Sequence, residues 1–187
     1  MSNARNLANL MGTNTLVPQS KVNLSLVASD LPTGSVLQVV QDTKTDTQVI
    51  TSNEVEKEIT GLAASITPSS TSNKVLVTVH LSYSCTGTTY KLYFKRGTTI
   101  VSGSRGDSRG SRQDATVPLG FAGDGNQGQV GVFSFLDSPA TTSQVEYKLF
   151  VVNDNTLSLY INRSQNDQNN DVGGNYISMI TLTEIAG

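Results

Sequence analysis

The sequence predicts an all-β protein, an antiparallel β-sandwich of the jelly-roll type preceded by a short N-terminal helix and an extended arm. Three observations carry that expectation. Strand-like segments rich in β-branched and aromatic residues follow one another from residue 35 onward, with Gly, Pro, Asn, Asp and Ser turn signals about every 8–12 residues. No segment after residue 34 places apolar residues at helical spacing, so parallel βαβ units are not expected. The stretch Tyr176-Ile-Ser-Met-Ile-Thr-Leu-Thr-Glu-Ile-Ala-Gly187 reads as a strand with Ile177 and Met179 on one face and Ile180 and Leu182 on the other. Apolar residues on both faces call for cover on both sides, from a second sheet or from another subunit.

The elements follow in order. Residues 2–11 predict a helix: Ser2 can cap it, Leu7, Leu10 and Met11 fall at helical spacing, and Gly12 stops it. A helix this short is marginal alone in water, which makes it an anchoring segment for its own domain, a neighbouring copy or another protein. Residues 13–33 carry isolated apolar side chains among Thr, Asn, Ser and Pro and read as the extended arm; Pro18 and Pro32 favour extended backbone before them. The turn Leu31-Pro-Thr-Gly34 opens the main domain, so the chain divides as 1–33 and 34–187.

Strands are then expected at 35–41, 45–51, 54–60, 63–67, 74–83, 89–95, 100–101, 115–121, 129–136, 144–152, 156–162 and 176–185. The second and third are polar enough for sheet edges. Along 74–83, Val75, Val77, Val79, Leu81 and Tyr83 share a face; along 89–95, Tyr90, Leu92 and Phe94 do. Arg96-Gly97-Thr98 is a tight turn, and Asn153-Asp154-Asn155 has the chemistry of a hairpin between its flanking strands. Two long polar loops remain, at 102–114 and 163–175; such loops are where a binding module makes contact.

Composition narrows the function. Of 187 residues, 36% are hydrophobic, which suits short strands and polar turns better than a large enzyme core. Thirteen basic residues against 15 acidic ones form no basic stripe, so nucleic acid is not an expected partner. The N-terminus shows no long apolar signal-peptide core, and no segment approaches the roughly 20 apolar residues of a membrane span. The single cysteine, Cys85, excludes an internal disulfide and fits a reducing site of synthesis.

The residues that could carry chemistry are few. His80 is the only histidine, and it lies on the face of its strand opposite the valines. One histidine cannot supply a metal triad, so it reads as a strand-surface or interface residue. Cys85 points to the other face from His80, which excludes a thiol–imidazole dyad and leaves a free structural thiol. Arg105-Gly106-Asp107 spells a tripeptide read by integrins, a match that short loops make by chance. Arg105, Arg109 and Arg112, spaced by Gly and Ser, make a cationic loop. It is either a solvated loop or a contact for anionic sugar or for acidic residues of a neighbouring subunit.

Asn166, Asp167, Asn170 and Asp171 put oxygen-bearing side chains in the second loop, but without the spacing of a calcium loop; turn formation accounts for them, and no metal or other cofactor is expected. No carboxylate pair suggests glycoside hydrolysis, and no Gly-rich strand-to-helix loop suggests a phosphate cradle. A non-enzymatic role is the expectation.

Several phrases resemble those of tail-fibre-like virion proteins of bacteriophages, cyanophages especially. Ser2-Asn-Ala-Arg-Asn-Leu-Ala-Asn-Leu-Met-Gly12 resembles the N-terminal anchoring segment of that group. Gly34-Ser-Val-Leu-Gln-Val-Val-Gln41 with Lys44-Thr-Asp-Thr47 resembles the start of its β-domain. Thr60-Gly-Leu62, Ser65-Ile-Thr-Pro-Ser-Ser-Thr-Ser-Asn-Lys-Val-Leu-Val77, Phe135-Leu-Asp-Ser-Pro-Ala-Thr-Thr142, Ile180-Thr-Leu182 and Glu184-Ile-Ala-Gly187 are similar to its recurring phrases. The resemblance spans nearly the whole chain. It implies a virion structural protein, made in the host cytoplasm and usually trimeric, with partners among other virion proteins of the tail, baseplate or capsid. A short tail fibre would bind a host surface glycan or protein through its β-head; the alternative is a capsid decoration protein that bridges capsomers. The group offers no catalytic residues to carry over.

Overall fold

The alternation of apolar and polar residues is expressed as two antiparallel sheets packed face to face. The structure is a computed structural model that describes residues 30–51, 56–85, 90–120, 125–153, 158–171 and 173–187. Apart from Asp30 and Leu31 these belong to one unit, Pro32–Gly187. The expected helix with Leu7, Leu10 and Met11, and the arm up to residue 29, lie outside the described residues.

Eleven strands are described: β1 (Val36–Lys44), β2 (Gln48–Ile50), β3 (Lys57–Ile66), β4 (Lys74–Cys85), β5 (Tyr90–Arg96), β6 (Thr99–Ile100), β7 (Val117–Leu119), β8 (Gln129–Asp137), β9 (Val145–Asn153), β10 (Leu159–Ile161) and β11 (Ser178–Ile185). Sheet A runs β1-β11-β4-β10-β2, with β8 also on β4; sheet B runs β3-β9-β5-β6, with β7 also on β5. β8 follows β4 along Val75–Tyr83, so β11 (against Lys74–His80) and β10 (against Tyr83–Cys85) share the opposite side of β4. From β7 to β10 the chain passes between the sheets at every step, the wrapping expected of a jelly-roll-type sandwich.

The inward stripes meet as expected. Val75, Val77, Val79 and Leu81 of β4, with Ile180 and Leu182 of β11, face Tyr90, Leu92 and Phe94 of β5 and Tyr147, Leu149 and Val151 of β9, all essentially without solvent exposure. Phe133 of β8 closes on Phe94 across the sheets, ring centroids 5.7 Å apart. Burial of such side chains contributes roughly 1.5–3 kcal/mol each and is the main force holding the layers.

Three buried polar clusters tie the strands at defined points. Asp137, at the end of β8, accepts from Arg96 Nη1 at 2.6 Å and from Tyr147 OH at 2.7 Å, joining sheet A to sheet B. Burial and then the hydrogen bond to Asp137 push the Tyr147 phenol well above its ordinary range, so it stays a donor. Glu184 of β11 accepts from Asn73 Nδ2 (2.6 Å), Ser69 N (2.7 Å), Ser69 Oγ (2.8 Å) and Gln38 Nε2, pinning the 69–73 turn and β1 to the last strand. Asn162, just past β10, donates to Lys44 O (2.8 Å) and Asp46 O (3.0 Å) and accepts from Ser178 Oγ (2.6 Å).

Two local expectations are corrected. Segments 54–60 and 63–67 do not form separate strands: β3 runs through both, with a register shift between Glu58 and Ala63 that contains Gly61 at φ 76°. A left-handed glycine inside a strand marks a bulge rather than a chain reversal. Asn153-Asp154-Asn155 does not close a hairpin either, because β9 pairs with β3 and β5 in sheet B while β10 pairs with β4 and β2 in sheet A. The flanking strands belong to different sheets, and residues 154–157 between them lie outside the described residues. The Arg96-Gly97-Thr98 turn does form the β5–β6 hairpin, with Gly97 at φ 58°.

Candidate functional site

The two outer faces of the sandwich differ in chemistry. On sheet B, outward positions of β5 and β9 carry Lys91, Tyr93, Lys95, Glu146, Lys148 and Phe150; Tyr93, Lys95, Glu146, Lys148 and Phe150 make contacts with one another or with Glu56 and Glu58. Lys95 Nζ meets Glu56 at 2.5 Å and lies 4.4 Å from the Phe150 ring centroid. Lys148 meets Glu146 at 3.2 Å and Glu58 at 3.6 Å, and its ammonium is held above its ordinary range first by the hydrogen bond to Glu146 and then by the charge of Glu58. Tyr93 stacks on Phe150 at 6.3 Å and donates to Glu56. This is a solvated, ion-paired face.

Sheet A presents the opposite character. Register carries three cross-sheet rows from β1 to β8: Val39-Thr183-Leu76-Leu136, Gln41-Thr181-Thr78-Ser134 and Thr43-Met179-His80-Val132. Twelve outward positions therefore hold no Lys, Arg, Asp or Glu. The exposed large hydrophobics gather here: Val39 is 59% exposed, Val130 58%, Val132 66% and Leu136 45%. Val36, Val49 and Ile177 lie on or beside the same sheet, and among the described residues no exposed large hydrophobic lies on sheet B. An uncharged sheet face with exposed apolar side chains along its edge strands is suited to be a contact surface.

His80 sits inside that face between Met179 and Val132, and its Nδ1 is buried with no hydrogen-bond partner. The strand-surface placement expected for it holds, and the neighbouring rows explain its role as part of a continuous surface. Cys85 points inward, buried and in no disulfide, its Sγ donating to Gly120 O at 2.9 Å. Among the described residues no group of three or more His, Cys, Asp or Glu side chains could hold a metal ion, and no helix is long and apolar enough to cross a membrane.

The two polar loops are separately anchored. In the first, Gly106 N donates to Ala115 O (3.1 Å), and the Arg105 guanidinium lies 5.6 Å from the Tyr93 ring centroid on the sheet B face. Arg109 and Arg112 are exposed on a turn closed by Arg112 N to Arg109 O. A polar cleft of about 330 Å³ lies beside Arg105, lined also by Val101, Ser102, Gly103, Gly106 and Asp114. The structure thus divides the three arginines, one stacked on an aromatic ring and two facing solvent.

In the second loop the candidate residues hold the loop together. Asp167 pairs with Arg163 at 3.2 Å, and Arg163 lies 4.7 Å from the Tyr160 ring centroid. Asn170 Oδ1 accepts from Gly173 N, and Asn170 Nδ2 donates to Gln168 Oε1. Asn166 N donates to Gly125 O at 2.9 Å and its Nδ2 to Asn126 Oδ1 at 2.8 Å, so the 125–126 turn and this loop form one unit. Asp171 is exposed at its tip. The sequence reading reached the uncharged face of sheet A only at Met179 on the last strand, whose cover it left to a second sheet or another subunit; the rest of the face escaped it. The signal was present in residues 129–136, Gln-Val-Gly-Val-Phe-Ser-Phe-Leu, where apolar residues fall on both faces of one strand.

No protein-family model and no curated protein matches the chain. Among solved structures, the chain is similar to one described as "Structure of infectious bursal disease virus Gt strain", at 13% identity and a TM-score of 0.40, covering 80% of this chain and 38% of that one. The chain therefore spans less than two-fifths of that structure's chain.

Proposed function

We propose that this chain is a non-enzymatic virion structural protein that works as a homotrimer: a short tail fibre or fibre-like appendage. Residues 1–33 anchor it to other virion proteins, and the β-sandwich faces a host surface glycan or protein. The observation that supports assembly is the outer face of sheet A, where four strands present an uncharged, partly apolar surface while the other sheet carries several ion pairs. Burying uncharged surface against a copy carries little desolvation cost, whereas burying the sheet B face would strip water from several ions. The resemblance of the recurring phrases to phage proteins supports the virion. The polar loops at 102–114 and 163–175 are the surfaces offered to a receptor in this reading.

Light scattering on purified protein at micromolar concentration is expected to return three times the 19.9 kDa chain mass. Val132→Lys places an ammonium on the β8 edge of the face, beside His80, and is expected to weaken association roughly a hundredfold, because a buried unpaired charge costs several kcal/mol. A wild-type monomer would overturn the reading. Copy number on the particle separates a fibre, at a few to a few dozen copies, from the decoration protein that uses the same face in the hundreds.

A further inference from the structure

Among the described residues sheet A has β8 as its edge on one side and β1 and β2 on the other, and β1, despite its register shift between Val36 and Gln38, suits β8 as a neighbour. β8 pairs with β4 and β1 with β11, and among the described residues neither has a second strand neighbour. Soluble proteins protect such edges with Lys, Pro or a bulge. β8 has none of these: its nine residues contain no Lys, Arg or Pro, its pairing shows no register shift, and its one acid, Asp137, is held inward by Arg96 and Tyr147. Val130, Val132 and Leu136 stand on its outer side, and Val36 and Val39, 58% and 59% exposed, stand on β1 at the opposite edge.

Strand polarity fits as well. β1, β11, β4 and β8 are successively antiparallel, so a β1 placed beside β8 in the same sheet orientation is antiparallel to it. Charge fits in the same sense. The β1 edge carries the exposed carboxylate of Asp42, while Asp46 beyond it is paired with Lys44 of the same strand; β8 is flanked by the arginine-bearing loop, the Phe135 ring tip lying 3.9 Å from where a Cβ would stand at Gly103.

We infer that β1 of one copy docks on β8 of the next, so that sheet A continues from copy to copy around a ring. This deepens the proposed trimer and rests on it. A head-to-tail contact uses two different patches on each chain and closes cyclically, whereas a two-fold pairing of β8 with itself would leave Val36 and Val39 bare. The occupant of each edge is therefore a second copy of this chain.

The test is paired cysteines at exposed positions on the two edges. Val39→Cys with Leu136→Cys lies on one row, and Val39→Cys with Ser134→Cys covers a two-residue shift; Cys85 is buried and does not compete. Under mild oxidation, one of these double variants is expected to give covalent oligomers on a non-reducing gel, ending at the size found by light scattering, while each single variant runs as one chain. Light scattering that still returns the oligomer with no covalent species from either pair would overturn the edge assignment and leave the trimer standing. Covalent dimers from Leu136→Cys alone would overturn it in favour of β8 pairing with itself. A monomer in light scattering, for the unmodified chain, would remove the proposed function beneath it.

Discussion

Asn162→Ala is expected to lower the unfolding free energy by about 3–4 kcal/mol, a large share of a typical domain's stability. Asn162 has no solvent exposure and sits at φ 61°, a left-handed conformation that Asn tolerates and most residues do not. Its amide ties the end of β1 (Lys44 O) and the following turn (Asp46 O) to the β10 exit, and its carbonyl oxygen accepts from Ser178, whose Oγ in turn accepts from Ser82 N at 3.0 Å. Removing it takes the side-chain donor from the buried Lys44 carbonyl and the part-buried Asp46 carbonyl, and leaves the Ser178 hydroxyl proton without its acceptor. Asn162→Gly loses the same bonds but fits the backbone, so it is expected to be less damaging than alanine by up to about 1 kcal/mol. Urea unfolding of the three proteins measures both differences. An alanine variant within about 0.5 kcal/mol of the parent would show that the cluster contributes little.

Glu184→Gln is expected to cost about 2 kcal/mol at neutral pH and to change the shape of acid unfolding. Burial alone would raise the Glu184 carboxyl, but hydrogen bonds from Asn73, Gln38 and Ser69 outweigh it, and the net direction is below the ordinary value of 4.5. A folded value below the unfolded one means that the charged form is favoured by folding. Its contribution is thus fully present above pH 4.5 and is lost as pH falls from there through the folded value. The glutamine variant lacks that titration, and its NH2 group must face one of the donors that now point at a carboxylate. The stability difference between parent and variant should be constant above about pH 5.5 and shrink on acidification, read from denaturant midpoints at several pH values. A difference that stays flat down to pH 3, or grows, would contradict the assignment.

The strand pattern was legible because its causes are local. The inward stripes of 74–83 and 89–95 alternate at period two, and they form the two walls of the core as read. The break expected between 54–60 and 63–67 and the hairpin expected at Asn153-Asp154-Asn155 failed for one shared reason: a turn-forming residue states that the backbone can bend, and strand pairing decides whether it bulges within one strand or stands between strands that do not pair. Arg105 and its two companions looked equivalent in sequence, yet only a nearby ring, Tyr93 on β5, sets one apart. The loop residues Asn166, Asp167 and Asn170 were legible as polar and turn-forming, and the bonds of Asp167 to Arg163 and of Asn170 to Gln168 are local; that Asn166 bonds the 125–126 turn depends on segments about 40 residues apart in the chain.

What the sequence by itself determined is the class: all-β, with an apolar face on each strand and no helical period after residue 34, since side-chain alternation and turn chemistry act between near neighbours. Only the tertiary structure decided which outward residues stand side by side. Val39, Thr183, Leu76 and Leu136 come from four distant strands, and hydrogen-bond register alone brings them into one row. An uncharged surface is a property of that row, so it appears only once the strands have been paired.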